Sequence, residues 1–443
     1  MQAALGGYRT RWMELSALLL AGVIVCLAFA LLRDAQNGTV RPSMMVPIVL
    51  YVLAAFGTSL LLGRLLPGAD QLIFPLVTVL GGVGLVEITR LSPQLGDRQL
   101  LWLVVGDAVL LATAVWPRNV NWLRLYKYTW AFIGFALIAL TIVHGSDIGN
   151  TGYRRWIGFG GVYLQPVEFL KIFMVIFFAA YLDEKRELLA GGRLVLGRLR
   201  LPPFQYLIPL LVMWGLSLLL LIRQNDLGSA LLFLGIFLAM LYVGTSRGIY
   251  PIIGLALFIF GSVASYFLFS HVRLRTDVWL DPWKYAAGGY QIIQGLFALA
   301  AGGIGGQGLG QGVPYYIPVA STDFIWDALG EELGLAGLVA LVVVYVMLIF
   351  RGLDIAVMAR DGFQKLLAAG LVSVFAVQTI VIIGGNTRLI PLTGVPLPFL
   401  SYGGSSIVAN FVIVGLLLKV SQTVRRSAWT AAEEQATGSR EGS

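Results

Sequence analysis

Apolar runs of roughly twenty residues recur along this chain, and a run of that length is what a helix needs to cross a hydrocarbon core about 30 Å thick. LLLAGVIVCLAFALL at 18–32 and LVALVVVYVMLIF at 338–350 are the cores of two of them. With no water inside the bilayer to satisfy backbone groups, and no alternating strand pattern, helices are the spanning element. The runs predict about twelve spans, at roughly 13–32, 46–63, 72–89, 99–116, 126–144, 165–182, 204–222, 228–244, 248–269, 333–350, 366–384 and 404–420. The expected fold is therefore an all-α polytopic membrane protein. Only 12% of its residues are charged, against about 25% in soluble proteins.

The net charge of +8 does not point to nucleic acid, because Lys and Arg gather in the short loops between apolar runs. With Arg9 and Arg11 on the cytoplasmic side, so are Arg118, Arg124 and Lys127, then Lys185, Arg186, Arg193, Arg198 and Arg200, then Arg351, Arg360 and Lys365, and last Lys419, Arg425 and Arg426. That asymmetry sets both termini in the cytoplasm. It also places a large loop, 271–332, on the outside, where long connections tend to carry function. Within the loop, YQIIQGLFALA at 290–300 reads as a short apolar helix at the outer interface. Residues 427–443 are small and polar and read as disordered. Cys26 stands alone in an apolar run, which excludes a disulfide framework, and two histidines, His144 and His271, exclude a histidine cluster. The first run lacks a small-residue cleavage site behind it and reads as a retained helix.

Polar chemistry concentrates in Gly302–Gly337, where a string of glycines precedes Asp323, Asp327, Glu331 and Glu332. An acid at mid-bilayer costs about 2.5–3.5 kcal/mol on insertion scales, so such a cluster marks function. Gly303, Gly305 and Gly308 satisfy GxGxxG, but no strand precedes them, which removes the dinucleotide reading. Close backbone approach, or amides cradling a diphosphate, remain. Asp323 is followed at once by Phe324, Ile325 and Trp326, a setting that desolvates a carboxylate and suits it to accept a proton. A plain acid near a helix start is the competing reading.

Glu168 and Lys171 share one helix face and either pair with each other or line a polar cavity for an anionic head group. Arg154, Arg155 and Trp156 suit interface anchoring or phosphate. Gln224, Asn225 and Asp226 form a polar patch between two spans. Asp107 lies inside a span and needs a partner. Residues 391–406, rich in proline and glycine, cannot be regular helix and should cap a cavity on the outer side.

Gly152-x-x-Arg155-Trp156, Gln165-Pro166-x-Glu168-x-x-Lys171, Gln224-x-Asp226-Leu227-Gly228, Tyr290-Gln291, Thr322-Asp323-Phe324-Ile325, Gly330-Glu331-Glu332-Leu333-Gly334 and Pro398-Phe-x-Ser401-Tyr402-Gly403-Gly404-Ser405-Ser406, in that order, resemble the SEDS proteins of bacterial shape, division and sporulation, the RodA and FtsW group. Val167, Asn225, Val319 and Ser321 depart from the usual pattern. The resemblance runs from about residue 72 to 420. It implies a membrane domain at 66–425, an extra helical pair at 1–65 and a cytoplasmic tail at 426–443. It further implies a peptidoglycan glycosyltransferase of the bacterial cytoplasmic membrane that polymerises lipid II on the outer face with a class B penicillin-binding protein.

By that resemblance Asp323 is the essential acid and Glu168 and Lys171 face a central cavity. Arg155, Gln165, Asp226, Glu331, Ser401 and Ser405 are the further expected substrate contacts. An inverting transfer needs one base and a stabilised diphosphate, the latter from cations or from a divalent Mg or Mn ion. A lipid II flippase and a non-catalytic scaffold that recruits the penicillin-binding protein are the alternatives.

Overall fold

Helices form at all twelve expected positions. The structure is a computed structural model and describes residues 11–35, 45–116, 119–147, 152–190, 194–196, 199–201 and 204–441. Arg9, Arg118, Arg193 and Arg198 lie outside the described residues. In order, the long helices are α1 (Trp12–Ala35), α2 (Met45–Leu65), α3 (Ile73–Leu91) and α4 (Pro93–Val115), then, after the single turn α5 (Asn121–Leu125), α6 (Lys127–His144). They continue as α7 (Val167–Glu184), the short α8 (Arg186–Ala190), α9 (Phe204–Arg223), α10 (Leu227–Thr245), α11 (Ile249–Leu268) and α12 (Ser270–Leu280). The last four are α13 (Ala286–Gly302), α14 (Ile325–Met358), α15 (Gly362–Asn386) and α16 (Gly404–Glu441).

Among the described residues 11 helices are long and apolar enough to cross a membrane. The twelfth expected span, α7, misses that description because it carries Glu168, Lys171, Asp183 and Glu184. Those charges are tolerable because α7 is the axis of the bundle. Phe177, Phe178, Ala179 and Ala180 are buried around its circumference, and α6, α10 and α15 pack on it. At the other extreme α11 has no buried residue in its apolar window and stands at the rim. The extra pair lies on the flank, α1 against α3 and α2 against α4. Asp107 is buried there beside Thr58 and Tyr51 of α2, which supplies the partner its position demanded.

Two expectations need correction. The 271–332 loop is mostly helical: α12 and α13 occupy it, and α14 begins at Ile325, ahead of the expected start at 333. The apolar helix within it packs against the first turns of α14. The tail expected to be disordered continues α16 to Glu441, leaving 442–443 outside the described residues. Two small antiparallel hairpins accompany the helices of this all-α fold, β1 (Ile157–Phe159) with β2 (Val162–Leu164), and β3 (Leu194–Leu196) with β4 (Leu199–Leu201).

The kink in α14 explains the glycine string. Gly334 leaves helical geometry at φ 65, ψ −173, so the carbonyls before it lose their partners in the helix. The glycine-rich segment supplies new ones: Gln307 N donates to Glu331 O at 2.9 Å and Gly308 N to Glu332 O at 3.0 Å. In return Leu335 N and Ala336 N donate to Gly303 O and Ile304 O. A Cβ on Gly334 would stand 2.2 Å from Gly306 N, so only glycine fits. The amides of Gln307 and Gly308, spent on this exchange, do not face outward as a diphosphate cradle would.

Candidate active site

Asp323 sits two residues ahead of α14, on backbone clamped from several sides. Ser401 Oγ donates to Thr322 O at 2.6 Å and accepts from Leu397 N at 2.8 Å, and Tyr402 N donates to Ser321 O at 2.8 Å. Asn386 Nδ2, at the end of α15, donates to Asp323 O at 3.0 Å. The clamping loop, 387–403, is non-helical as its prolines require, and it is itself held by Gln378 Nε2 to Pro396 O and Tyr345 OH to Pro398 O, both 2.6 Å. Gly394, at φ 67, lets the loop approach until its Cβ position is 3.6 Å from Asp323 Oδ2. A side chain there would strain the backbone and crowd the carboxylate.

The carboxylate is half-buried, and desolvation raises its pKa above the usual aspartate value. A hydrogen bond from Thr322 and the nearby charge of Arg155 oppose that rise, while Asp226 adds to it. Arg155, just ahead of β1, reaches across to the turn between α9 and α10: Nε donates to Gln224 O at 3.1 Å and Nη2 to Asn225 O at 3.0 Å. Asp226 caps α10 through Ser229 N at 3.0 Å and Ser229 Oγ at 2.8 Å. Its charge and that of Arg155 are both felt by Arg275 of α12, whose pKa is lowered chiefly by burial. Asp323, Arg155, Asp226 and Arg275 thus share one partly dry corner. Arg275 escaped the sequence reading, because no motif surrounds it and its helix was read as loop.

Other expected contacts lie elsewhere. Lys171 Nζ is bound by Glu168 Oε2 at 2.6 Å, Gln378 Oε1 at 3.1 Å and Asn410 Oδ1 at 3.5 Å, with 1% of the residue exposed. It is a closed internal ion pair beneath the 387–403 loop and not the lining of an open cavity. Glu331 accepts from Val313 N at 2.8 Å, and beside it Glu332 pairs with Arg90 of α3, which also reaches Glu87 and Gly312 O. Glu331 therefore fastens the glycine string, two helical turns from Asp323. Ser405 accepts from Gln165 N at 2.9 Å and fixes the entry to α7, so Gln165 takes part through its backbone. Ser401, as above, holds the Asp323 segment.

Among the described residues no three His, Cys, Asp or Glu side chains converge. Both oxygens of Asp226 accept from Ser229, and the positive groups at this corner are the guanidiniums of Arg155 and Arg275.

The family described as cell cycle protein, the FtsW, RodA and SpoVE group, matches residues 64–426. The chain belongs to that family. It is 41% identical over 427 residues to the peptidoglycan glycosyltransferase RodA of Mycobacterium tuberculosis, covering 93% of this chain and 91% of that one. To the stage V sporulation protein E of Bacillus subtilis it is 33% identical over 373 residues, 80% of this chain and 98% of that one. Among solved structures, one described as a peptidoglycan synthase complex that coordinates polymerization and crosslinking shares 25% identity at a TM-score of 0.68, over 80% of this chain and 98% of that one. The Thermus thermophilus rod shape determining protein RodA shares its fold at a TM-score of 0.56 and 24% identity, over 80% and 96% of the two chains.

Proposed function

We infer that this SEDS-family chain is a peptidoglycan glycosyltransferase that joins lipid-linked disaccharides, with Asp323 as general base. The observation that carries the assignment of the base is the clamped, half-buried carboxylate of Asp323, its pKa raised by desolvation, with Arg155 and Arg275 nearby. A sugar hydroxyl of one lipid II attacks the anomeric carbon of another, or of the growing chain, on the face opposite its diphosphate. Asp323 takes the hydroxyl proton, the new glycosidic bond forms, and undecaprenyl diphosphate leaves with the electrons of the broken C–O bond. A diphosphate leaving group needs its charge stabilised more than it needs a proton. Arg155, with Nη1 uncommitted among the described residues, and Arg275 supply that charge. One carboxylate suffices, unlike the pair in most glycosidases.

The protein is a multi-pass membrane protein. We place it in the cytoplasmic membrane, both termini inside and Asp323 facing outward, where lipid II is consumed. The likeness to a synthase complex that couples polymerization to crosslinking supports a class B penicillin-binding protein as partner. The transport reading has less support, because the Lys171 pair that would line a path is closed.

The test is polymerisation of lipid II by the purified chain. Asp323→Asn, folded and membrane-inserted, is expected to lower turnover by about 10²–10⁴-fold, the usual worth of a general base. Wild-type polymer yields from that variant would refute the assignment.

A further inference from the structure

Asp327 takes no part in the transfer as derived above, yet it is the least explained side chain of the site. It has no exposed surface, and among the described residues the side-chain donor that approaches its carboxylate is the amide of Asn386, in a contact looser than a full hydrogen bond. Buried polar atoms are nearly always partnered, and a position that only fills space takes an alkyl group. Room has nevertheless been made for this one. Helix α13 presents Gly295 to it, where a Cβ would stand 3.2 Å from both Cγ and Oδ2 of Asp327 and 3.0 Å from the Phe324 ring.

Beside Asp327 stands the side-chain amide of Asn386, 2% exposed at the end of α15. The nitrogen of that amide donates to the main-chain oxygen of Asp323 at 3.0 Å. An amide nitrogen carries two hydrogens, so Asn386 can serve Asp323 with one and face Asp327 with the other. Asp327 N in turn donates to Phe324 O at 3.1 Å, closing the first turn of α14 behind the base.

We propose that Asp327 is a positioning residue for glycan transfer: its carboxylate orients the Asn386 amide, and that amide fixes the peptide of Asp323 against the 387–403 loop. Asp327 touches neither sugar nor diphosphate, and it acts only through Asn386. The inference rests on Asp323 being the base, as read above. A base set about 1 Å off its hydroxyl loses rate while substrate still binds, because binding is made elsewhere.

The experiment compares lipid II polymerisation by wild-type, Asp327→Leu, Asp327→Asn, Asn386→Ala and Asp327→Leu/Asn386→Ala chains, purified in the same lipid discs. Leu fills the volume without an acceptor, and Asn keeps an acceptor oxygen. Asp327→Leu is expected to lower kcat by about tenfold or more with KM within about twofold. Asp327→Asn should recover to within about threefold of wild type, and the double variant should be no slower than the slower single one, since residues acting as a unit are not additive. Thermal midpoints and size-exclusion profiles are read in parallel. Wild-type kcat in Asp327→Leu, multiplying losses in the double variant, or an activity loss that only tracks lost folded protein would overturn the proposal. Should Asp327→Leu fail to fold, Asp327→Asn and Asp327→Ser give the same comparison, Ser being the short side chain that cannot reach Asn386. Asp323→Asn is run alongside: polymer from it sinks the assignment of the base, whereas a dead Asp323→Asn with a full-rate Asp327→Leu sinks only the positioning role.

Discussion

At the scale of single residues, the proposed base, Asp323, owes its fitness for the role to surroundings kept unfavourable for charge. Burial raises the pKa of Asp323, so its proton-accepting form is lost as pH falls through a value above the ordinary ~3.9. The acid limb of kcat/KM should accordingly lie above that of an exposed aspartate. Arg155→Gln removes a charge that lowers the pKa and should move the limb to higher pH; a pH profile of lipid II polymerisation reads both. The same rise costs stability at neutral pH. An acid whose folded pKa exceeds its unfolded one binds more protons when folded, so stability declines as pH rises through that interval. Asp323→Asn should therefore melt higher than wild type near neutral pH, an advantage that disappears below the unfolded pKa. Asp323 was legible in the sequence because an acid followed by Phe324, Ile325 and Trp326 must be partly desolvated. Arg275 was not, since a lone arginine in a long connection carries no pattern, and only packing of α12 brings it to the corner. Glu331 shows what the sequence leaves open: an intramembrane acid looks functional whether it meets substrate or a backbone amide, and here it accepts from Val313 N.

At the scale of elements, the site depends on a helix that is broken and mended. The apolar run after 333 was readable as a span, but Ile325–Leu333 was not readable as helix, because its carboxylates interrupt the apolar pattern. They are tolerable only through partners far away in sequence, Arg90 and Val313 N among them. Gly334→Ala forces a side chain at φ 65 into the backbone of Gly306. It should cost about 1–3 kcal/mol of backbone strain, and more if the glycine string is displaced. A lowered thermal midpoint with loss of polymerisation is the expected result, and an unchanged midpoint would mean that the string is not holding the kink. The Glu168 and Lys171 pair makes a second element-scale case. The sequence showed that they share a face, but not that Gln378 and Asn410 would close over them. Lys171→Met leaves a buried carboxylate unpaired and should destabilise by about 3–5 kcal/mol. The double change Glu168→Gln/Lys171→Met should recover much of that loss, which urea or thermal unfolding in detergent can measure.

At the scale of the whole molecule, the helices sort their polar clusters to two ends. Asp323, the 387–403 loop, the α9–α10 turn and the glycine string stand at one. At the other, Asp70 is buried between Arg351 of α14 at 2.5 Å and Arg425 of α16 at 3.2 Å, and its Oδ1 accepts from Leu72 N and Ile73 N at the start of α3. One carboxylate thus ties three core helices together opposite the site. Arg124, Lys127, Lys185 and Arg186 lie at this second end too, partly neutralised by Asp183 and Glu184. Loops rich in Lys and Arg are retained on the cytoplasmic side, so the Asp323 end must face outward if the chain is to meet lipid II there. The single cysteine, Cys26, is held within α1, which makes the orientation measurable: in a Cys26→Ser background, exposed positions at the two ends, Tyr316→Cys and Asp354→Cys, report independently. A membrane-impermeant maleimide applied to intact cells should label Tyr316→Cys and spare Asp354→Cys, with both labelled after lysis. The reverse pattern would put Asp323 in the cytoplasm, away from the growing wall, and a base that cannot reach its acceptor sugar cannot perform the transfer whatever its pKa.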